Sequence, residues 1–163
     1  NILPEAKIRL KTQVEVERNK GISAVSNAGN VATVNSERDK AITAIRGIGY
    51  DADINNKIAV DKENERNNAK RDAINEINKA AQDKKSEIDK ADITSEDKAR
   101  LKSEVDRVRD NGIAEVNKLT QVPEINNKKD QVIKAIKAID LGSALKSKAK
   151  IEYFPFEYEK IHI

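Results

Sequence analysis

Three observations predict an all-α fold of tandem antiparallel three-helix-bundle repeats, the first copy truncated, ending in a short extended C-terminal tail. The first is internal repetition. Residues 2–48 slide onto residues 93–139 without a gap, at a constant offset of 91 that carries Gly21 onto Gly112. Leu10, Val14, Ile22 and Val25 then meet Leu101, Val105, Ile113 and Val116, and Ile42, Ile45 and Ile48 meet Ile133, Ile136 and Ile139. A long internal period marks an array of supersecondary units. The second is composition: 36% charged residues, 3% aromatics, three prolines and six glycines suit long solvated helices around a thin aliphatic core. The third is apolar spacing of three and four, which draws one stripe along each arm.

The first arm spans 4–28 in one copy and 95–119 in the other. Thr94 is its expected N-cap in the second copy, with Asp97 as capping-box partner. In the first copy Leu3 fills that slot, and Pro4 takes the first helical position, where a missing N–H costs nothing. The stripe Val105, Val108, Gly112, Ile113, Val116, Leu119 runs through Gly112. A glycine inside a helix costs about 1 kcal/mol relative to Ala, so its recurrence at 21 and 112 predicts a closely crossing neighbour. A break at Asn111-Gly112 is the alternative.

After Gly29-Asn30 or Thr120-Gln121 comes a second arm of about four turns, with Pro123 near its start and Ile125, Val132, Ile133, Ile136 and Ile139 facing inward. Gly47-Ile48-Gly49 and Asp140-Leu141-Gly142 are expected to end the two copies. Between the copies, Ala69, Ala73, Ile74, Ile77, Ala80, Ala81, Ile88 and Ala91 mark a third, mostly alanine stripe. Asp61–Asn68 has almost nothing to bury and reads as solvated helix or linker. The division is therefore 1–49 as a partial repeat of two helices, 50–62 as linker, 63–142 as the complete repeat, and 143–163 as tail or junction. The first copy is expected to be an incomplete bundle, partly open or completed by other parts of the chain. The absence of an initiator Met is read as a sign of an internal piece of a longer protein.

Residues 151–163 differ in kind. Tyr153, Phe154, Phe156 and Tyr158 are four of the chain's five aromatics, and their alternation favours an extended strand bent at Pro155. They are the candidate partner-binding residues; the other reading is a linker or the first strand of a following domain.

Little chemistry is legible. His162 is the only histidine, there is no cysteine, and no phosphate-binding glycine motif occurs. The expectation is no enzyme, no catalytic or metal-binding residue and no cofactor. Asp51-Ala52-Asp53-Ile54-Asn55 opens like a calcium loop, but its sixth position is Asn56 and its twelfth Lys62, where Gly and Glu are needed. The plainer reading is a polar connector whose Asp53 caps a helix. The lysines at 128, 129, 134, 137, 146, 148 and 150 are interleaved with acids in a chain of net charge +3, so nucleic acid is not an expected partner. No apolar run approaches the roughly 20 residues needed to span a bilayer, and direct membrane insertion is not expected.

Ala73-Ile74, Ile77, the Thr94-x-x-Asp97-Lys98 opening, Val105, Ile113, Val116, Thr120-x-Val122 and the closing Ile133-x-x-Ile136-x-x-Ile139 together are familiar. Residues 69–139, with a partial copy over 2–48, resemble a three-helix "domain of unknown function" repeat of Gram-positive surface proteins, including giant staphylococcal matrix-binding and biofilm-accumulation proteins. The polar stretch 49–68 and the aromatic tail depart from that pattern. The resemblance implies an extracellular, cell-wall attached adhesin, associated with virulence and biofilm, in which the repeat is a structural, rod-like stalk or spacer. Neighbouring repeats of the same chain are then its partners. The alternative is a binding module for a host plasma or matrix protein, or one that self-associates in biofilm.

Overall fold

The computed structural model describes the backbone of residues 1–162 and the side chains of residues 1–152. It is all-helical, with α1 at Pro4–Asn27, α2 at Val31–Arg46, α3 at Asp51–Lys90, α4 at Ser95–Lys118, α5 at Val122–Lys137 and α6 at Gly142–His162. The repeat is kept residue for residue: α1 and α4 have 24 residues each, α2 and α5 have 16, and every boundary is displaced by the same offset. The chain divides into two compact units between residues 63 and 64.

Different local devices set the same boundaries. Thr94 accepts a hydrogen bond from the Asp97 N–H at 3.1 Å and so caps α4. α1 begins at Pro4 behind an extended Leu3 without a side-chain cap. Asn30 caps α2, its Oδ1 accepting from Thr33 N–H at 2.8 Å and from the Thr33 hydroxyl at 2.9 Å. The corresponding Gln121 makes no side-chain cap, and Pro123 sits in the first turn of α5 instead.

The first unit holds the α1/α2 hairpin and the first turns of α3. Gly21 is the only buried residue of α1, and α2 has none. The second unit closes a real core. Ile77 and Ile88 of α3, Val105 and Val116 of α4, and Ile125 and Ile136 of α5 are the largest fully buried side chains. Ala73, Ala80 and Ala81 of α3 are buried in the same core, and Val108, Ile113, Leu119 and Ile133 pack against it.

Both glycines lie inside continuous helices, and the crossing they predicted is there. A Cβ at Gly112 would stand 2.5 Å from Val132 Cγ1 and 2.6 Å from Cγ2, and one at Gly21 would collide with the methyl of Ala41. Ala41 and Val132 are themselves equivalent under the offset. The glycine pair is therefore one device used twice.

Four expectations need correction. The stretch read as linker, from residue 50 to 62, is helical from Asp51 onward and continues into the alanine stripe, as does 61–68. No Gly or Pro interrupts residues 50–111, and local pairs such as Lys57–Asp61 (2.5 Å) support helix where there is nothing to bury. Asp53 lies within the first turn of α3 rather than capping it, and pairs with Arg9. Gly47 closes α2 as expected, whereas α5 ends earlier, with Ala138 and not Gly142 as its C-cap. Gly47 ends α2 in right-handed geometry, and Gly142 instead begins α6, its N–H donating to Asp140 Oδ1 at 2.8 Å. Finally, the expected extended tail is the second half of α6. Its start packs into the second unit, with Ala144 and the preceding Leu141 buried and Lys148, in the second turn, paired with Asp92. The helix-forming run 144–152 carries the chain past the point where alternation suggested a strand.

Candidate functional site: the open face of the first hairpin

The most distinctive surface of the molecule is the apolar face left between α1 and α2. Gly21 and Ala41 form its floor where the helices touch, and Ile22, Val25, Ile42 and Ile45 line it, with Arg18 and Arg38 at the rim. Toward the hairpin's loop to α3 a second hollow is bounded by Leu10, Val14, Ile45, Ile48 and Tyr50. These positions are core positions in the second unit. Val14 is 38% exposed where Val105 is fully buried; Ile22 and Ile42 are 58% and 40% exposed where Ile113 and Ile133 pack against the core. Contiguous exposed aliphatic surface of this kind is uncommon on a protein at rest and marks sites of contact.

The second unit shows what holds a helix onto such a face. Besides the Ala/Ile stripe, α3 makes a set of polar contacts along the edges of the α4/α5 hairpin. Lys70 donates to the Asn117 carbonyl at 2.7 Å and Lys84 to the Lys137 carbonyl at 3.2 Å, so each ammonium meets the carbonyls at a helix C-terminus. Lys84 is itself buried, with its stem in the stripe and its head on that carbonyl and on Glu87 (3.1 Å). Glu76 pairs with Lys129 at 2.7 Å, and Asp89 takes Lys102 at 2.6 Å on its carboxylate and Lys98 at 2.8 Å on its carbonyl. Lys85 reaches Asp106, whose Oδ1 also lies 3.0 Å from Arg109 Nη1.

Ion pairs of this kind favour the charged form of both partners. The Lys102 ammonium beside Asp89 holds its carboxyl below the ordinary value; Lys148 does the same for Asp92, and Arg109 for Asp110. Lys129 beside Glu76 and Lys148 beside Asp92 are raised. All are open to solvent, where such pairs contribute little each.

The residues singled out from sequence fall elsewhere. Tyr153, Phe154, Phe156 and Tyr158 lie within α6, and their side chains, like that of His162, fall outside the described residues. The calcium-loop-like stretch 51–62 is helix, so its carboxylates fan round an axis instead of converging. Of the lysines interleaved with acids, Lys128 pairs with Glu115 at 3.0 Å, Lys129 with Glu76, and Lys148 with Asp92 and Glu152. No group of three or more metal-ligating side chains occurs among the described residues. No helix among them is long and apolar enough to cross a membrane. The open face was foreshadowed only as an incomplete bundle; the signal for it was the repeat itself, with core-type residues at 14, 22, 42 and 45.

Comparison with known proteins agrees with the second unit. The family model described as Domain of Unknown Function (DUF1542) matches residues 69–143, which takes in the alanine stripe of α3 and the whole α4/α5 hairpin. Neither a curated protein nor a solved structure matches the chain.

Proposed function

We propose that this chain is a piece of a helical repeat array that serves as a spacer in a bacterial cell-surface adhesin, outside the cell and attached to its wall. The observation that carries the reading is the register-perfect repetition of one hairpin, glycine crossing included, joined to a bundle whose core is aliphatic and whose exterior is charged. Such a module adds length per repeat without cysteine chemistry. The resemblance of residues 69–139 to repeats of Gram-positive surface proteins supports the setting, and the family match to residues 69–143 supports the repeat.

The test is to display one, two or four copies of this chain between a wall anchor and an epitope tag. Antibody-coated beads too large to enter the wall layer should reach the tag more readily as copies are added. Scrambling exposed charges at constant net charge should leave that dependence unchanged. If reach does not depend on copy number, while one plasma protein or the chain itself is captured at micromolar strength, the binding-module reading replaces the spacer.

A further inference from the structure

Asn111-Gly112 has the sequence of a turn and stands in the structure as unbroken helix, inside α4. It is the only asparagine of the chain that glycine follows. The order matters because the backbone nitrogen after an asparagine can attack the carbon of the side-chain amide. A following side chain obstructs that approach, and glycine has none. Asn111 is exposed, so its amide stands in water, whereas Gly112 is buried against Val132. The helix holds the reaction off in two ways. Within α4 the Gly112 N–H is donated to the carbonyl four residues back, that of Val108. Helical dihedrals at Asn111 also keep the Gly112 nitrogen turned away from Asn111 Cγ. Both restraints vanish together when α4 opens. The first hairpin is an internal control: under the offset of 91 its glycine crossing is preceded by Lys20, so the close contact needs no asparagine.

We propose that Asn111-Gly112 is a self-modification site that turns a passing opening of the second unit into a permanent one. In the opened chain a solvent base takes the Gly112 amide proton, and the nitrogen bonds to Asn111 Cγ. The bond from Cγ to the side-chain nitrogen breaks, and that nitrogen leaves as ammonia with a proton from solvent, closing a succinimide ring. Water then opens the ring at one of its two carbonyls. Attack at Cγ leaves aspartate. Attack at the backbone carbonyl leaves isoaspartate, whose main chain runs through the side-chain methylene and is one atom longer. The sum is water in and ammonia out. The aspartate product keeps the backbone and adds a negative charge at an exposed position beside Asp110. The isoaspartate product puts an extra backbone atom next to Gly112, at a crossing where even a Cβ would stand 2.5 Å from Val132 Cγ1. It also shifts Val116 on one side of the insertion against Leu101 and Val105 on the other, so these buried residues no longer share one face. The inference rests on the chemistry of α4 and holds whether or not the array acts as a spacer.

The test ages the full chain in mildly alkaline buffer, folded or in urea beyond the unfolding transition. Peptide mass spectrometry reads conversion at each asparagine, and chromatography separates the aspartate and isoaspartate peptides. In urea Asn111 should convert about tenfold ahead of every other asparagine, and in the folded chain on the order of a hundredfold more slowly, because opening must come first. In urea below the transition its rate should climb in step with hydrogen exchange of the Gly112 amide. After ageing in urea and return to buffer, the isoaspartate fraction should leave the Val105 and Val116 amides unprotected, while exchange in α1 and α2 matches the unaged chain. Asn111→Lys, which copies the first crossing, should recover the protection of its own unaged form after the same treatment. Equal conversion in folded and unfolded chains would overturn the proposal, and so would an isoaspartate chain that regains protection at Val105 and Val116. Failure of aged Asn111→Lys to recover would trace the loss to other damage and overturn it as well.

Discussion

The two hairpins share their helix lengths, their glycine crossing and most of their apolar register, yet only one is covered. Ile136 in the last turn of α5 is fully buried, whereas its counterpart Ile45 is only partly buried. Identical local instructions thus yield a closed core or an open groove depending on whether a third helix lies across them. The hairpin is the part written into the short loops and the glycine; the core is a property of the trio.

Core truncation should separate the two hairpins most strongly. Ile136→Ala should destabilise the second unit by about 2–5 kcal/mol, the usual cost of a cavity at a sealed site. Ile45→Ala should cost less, about 1 kcal/mol, because part of that side chain already meets water. Hydrogen exchange of α5 and α2 amides reads the two units separately, and equal losses would break the comparison.

The crossing comes next. Gly112→Ala drives a methyl against both Cγ atoms of Val132, whose β-branched side chain is stiff at χ1. Overpacking of about 1–3 kcal/mol outweighs the roughly 1 kcal/mol gained in helix propensity. Adding Val132→Ala should recover part of the loss, since the remaining approach to its Cβ is 3.1 Å. Gly21→Ala should come out near neutral in urea titration, because α1 and α2 can part without breaking a sealed core.

Lys84→Met keeps the buried stem and removes the bond to the Lys137 carbonyl. A loss of about 1 kcal/mol is expected in the melt. A stabilised variant would show instead that the ammonium is a liability in the stripe.

The smallest effect is that of pH. Asp89, Asp92 and Asp110 are lowered chiefly by hydrogen bonds from Lys102, Lys148 and Arg109. Their contribution is therefore present above the unfolded carboxylate value and lost as pH falls through the folded one. Lys129 and Lys148 are raised, so their share persists below the unfolded lysine value and is lost only in strong alkali. The melting temperature should be flat from about pH 5 to 9 and drop gently below about pH 4. A step near pH 6.5 would be foreign to every group that shifts.

Most of this architecture was legible in the chain. Gly21 and Gly112 were readable because a costly residue repeated in register points to a close neighbour, and Val105, Val116, Ile125 and Ile136 because their spacing allows one face. The helicity of residues 51–68 was half-hidden, since local ion pairs hold it and leave no apolar stripe. Lys84 was missed because lysine signals solvent; only its long stem makes the stripe position tolerable. α6 was misread because alternating aromatics imitate a strand when their helical neighbours are polar. The open face of α1 and α2 needed both hairpins side by side, since no single stretch reveals that its core-type residues are uncovered.

The separations in sequence carry a consequence for how the second unit assembles. Gly112 and Val132 meet across a short loop, while Lys84 must find Lys137 across 53 residues. Near contacts cost less chain entropy to close than distant ones. The α4/α5 hairpin is then the nucleus, and α3 settles on it afterwards. In stopped-flow refolding, Gly112→Ala should mainly slow folding, whereas Ile77→Val should mainly hasten unfolding. Seen this way, the first hairpin, with the same helix lengths and the same glycine crossing, repeats the part of the second unit that forms first.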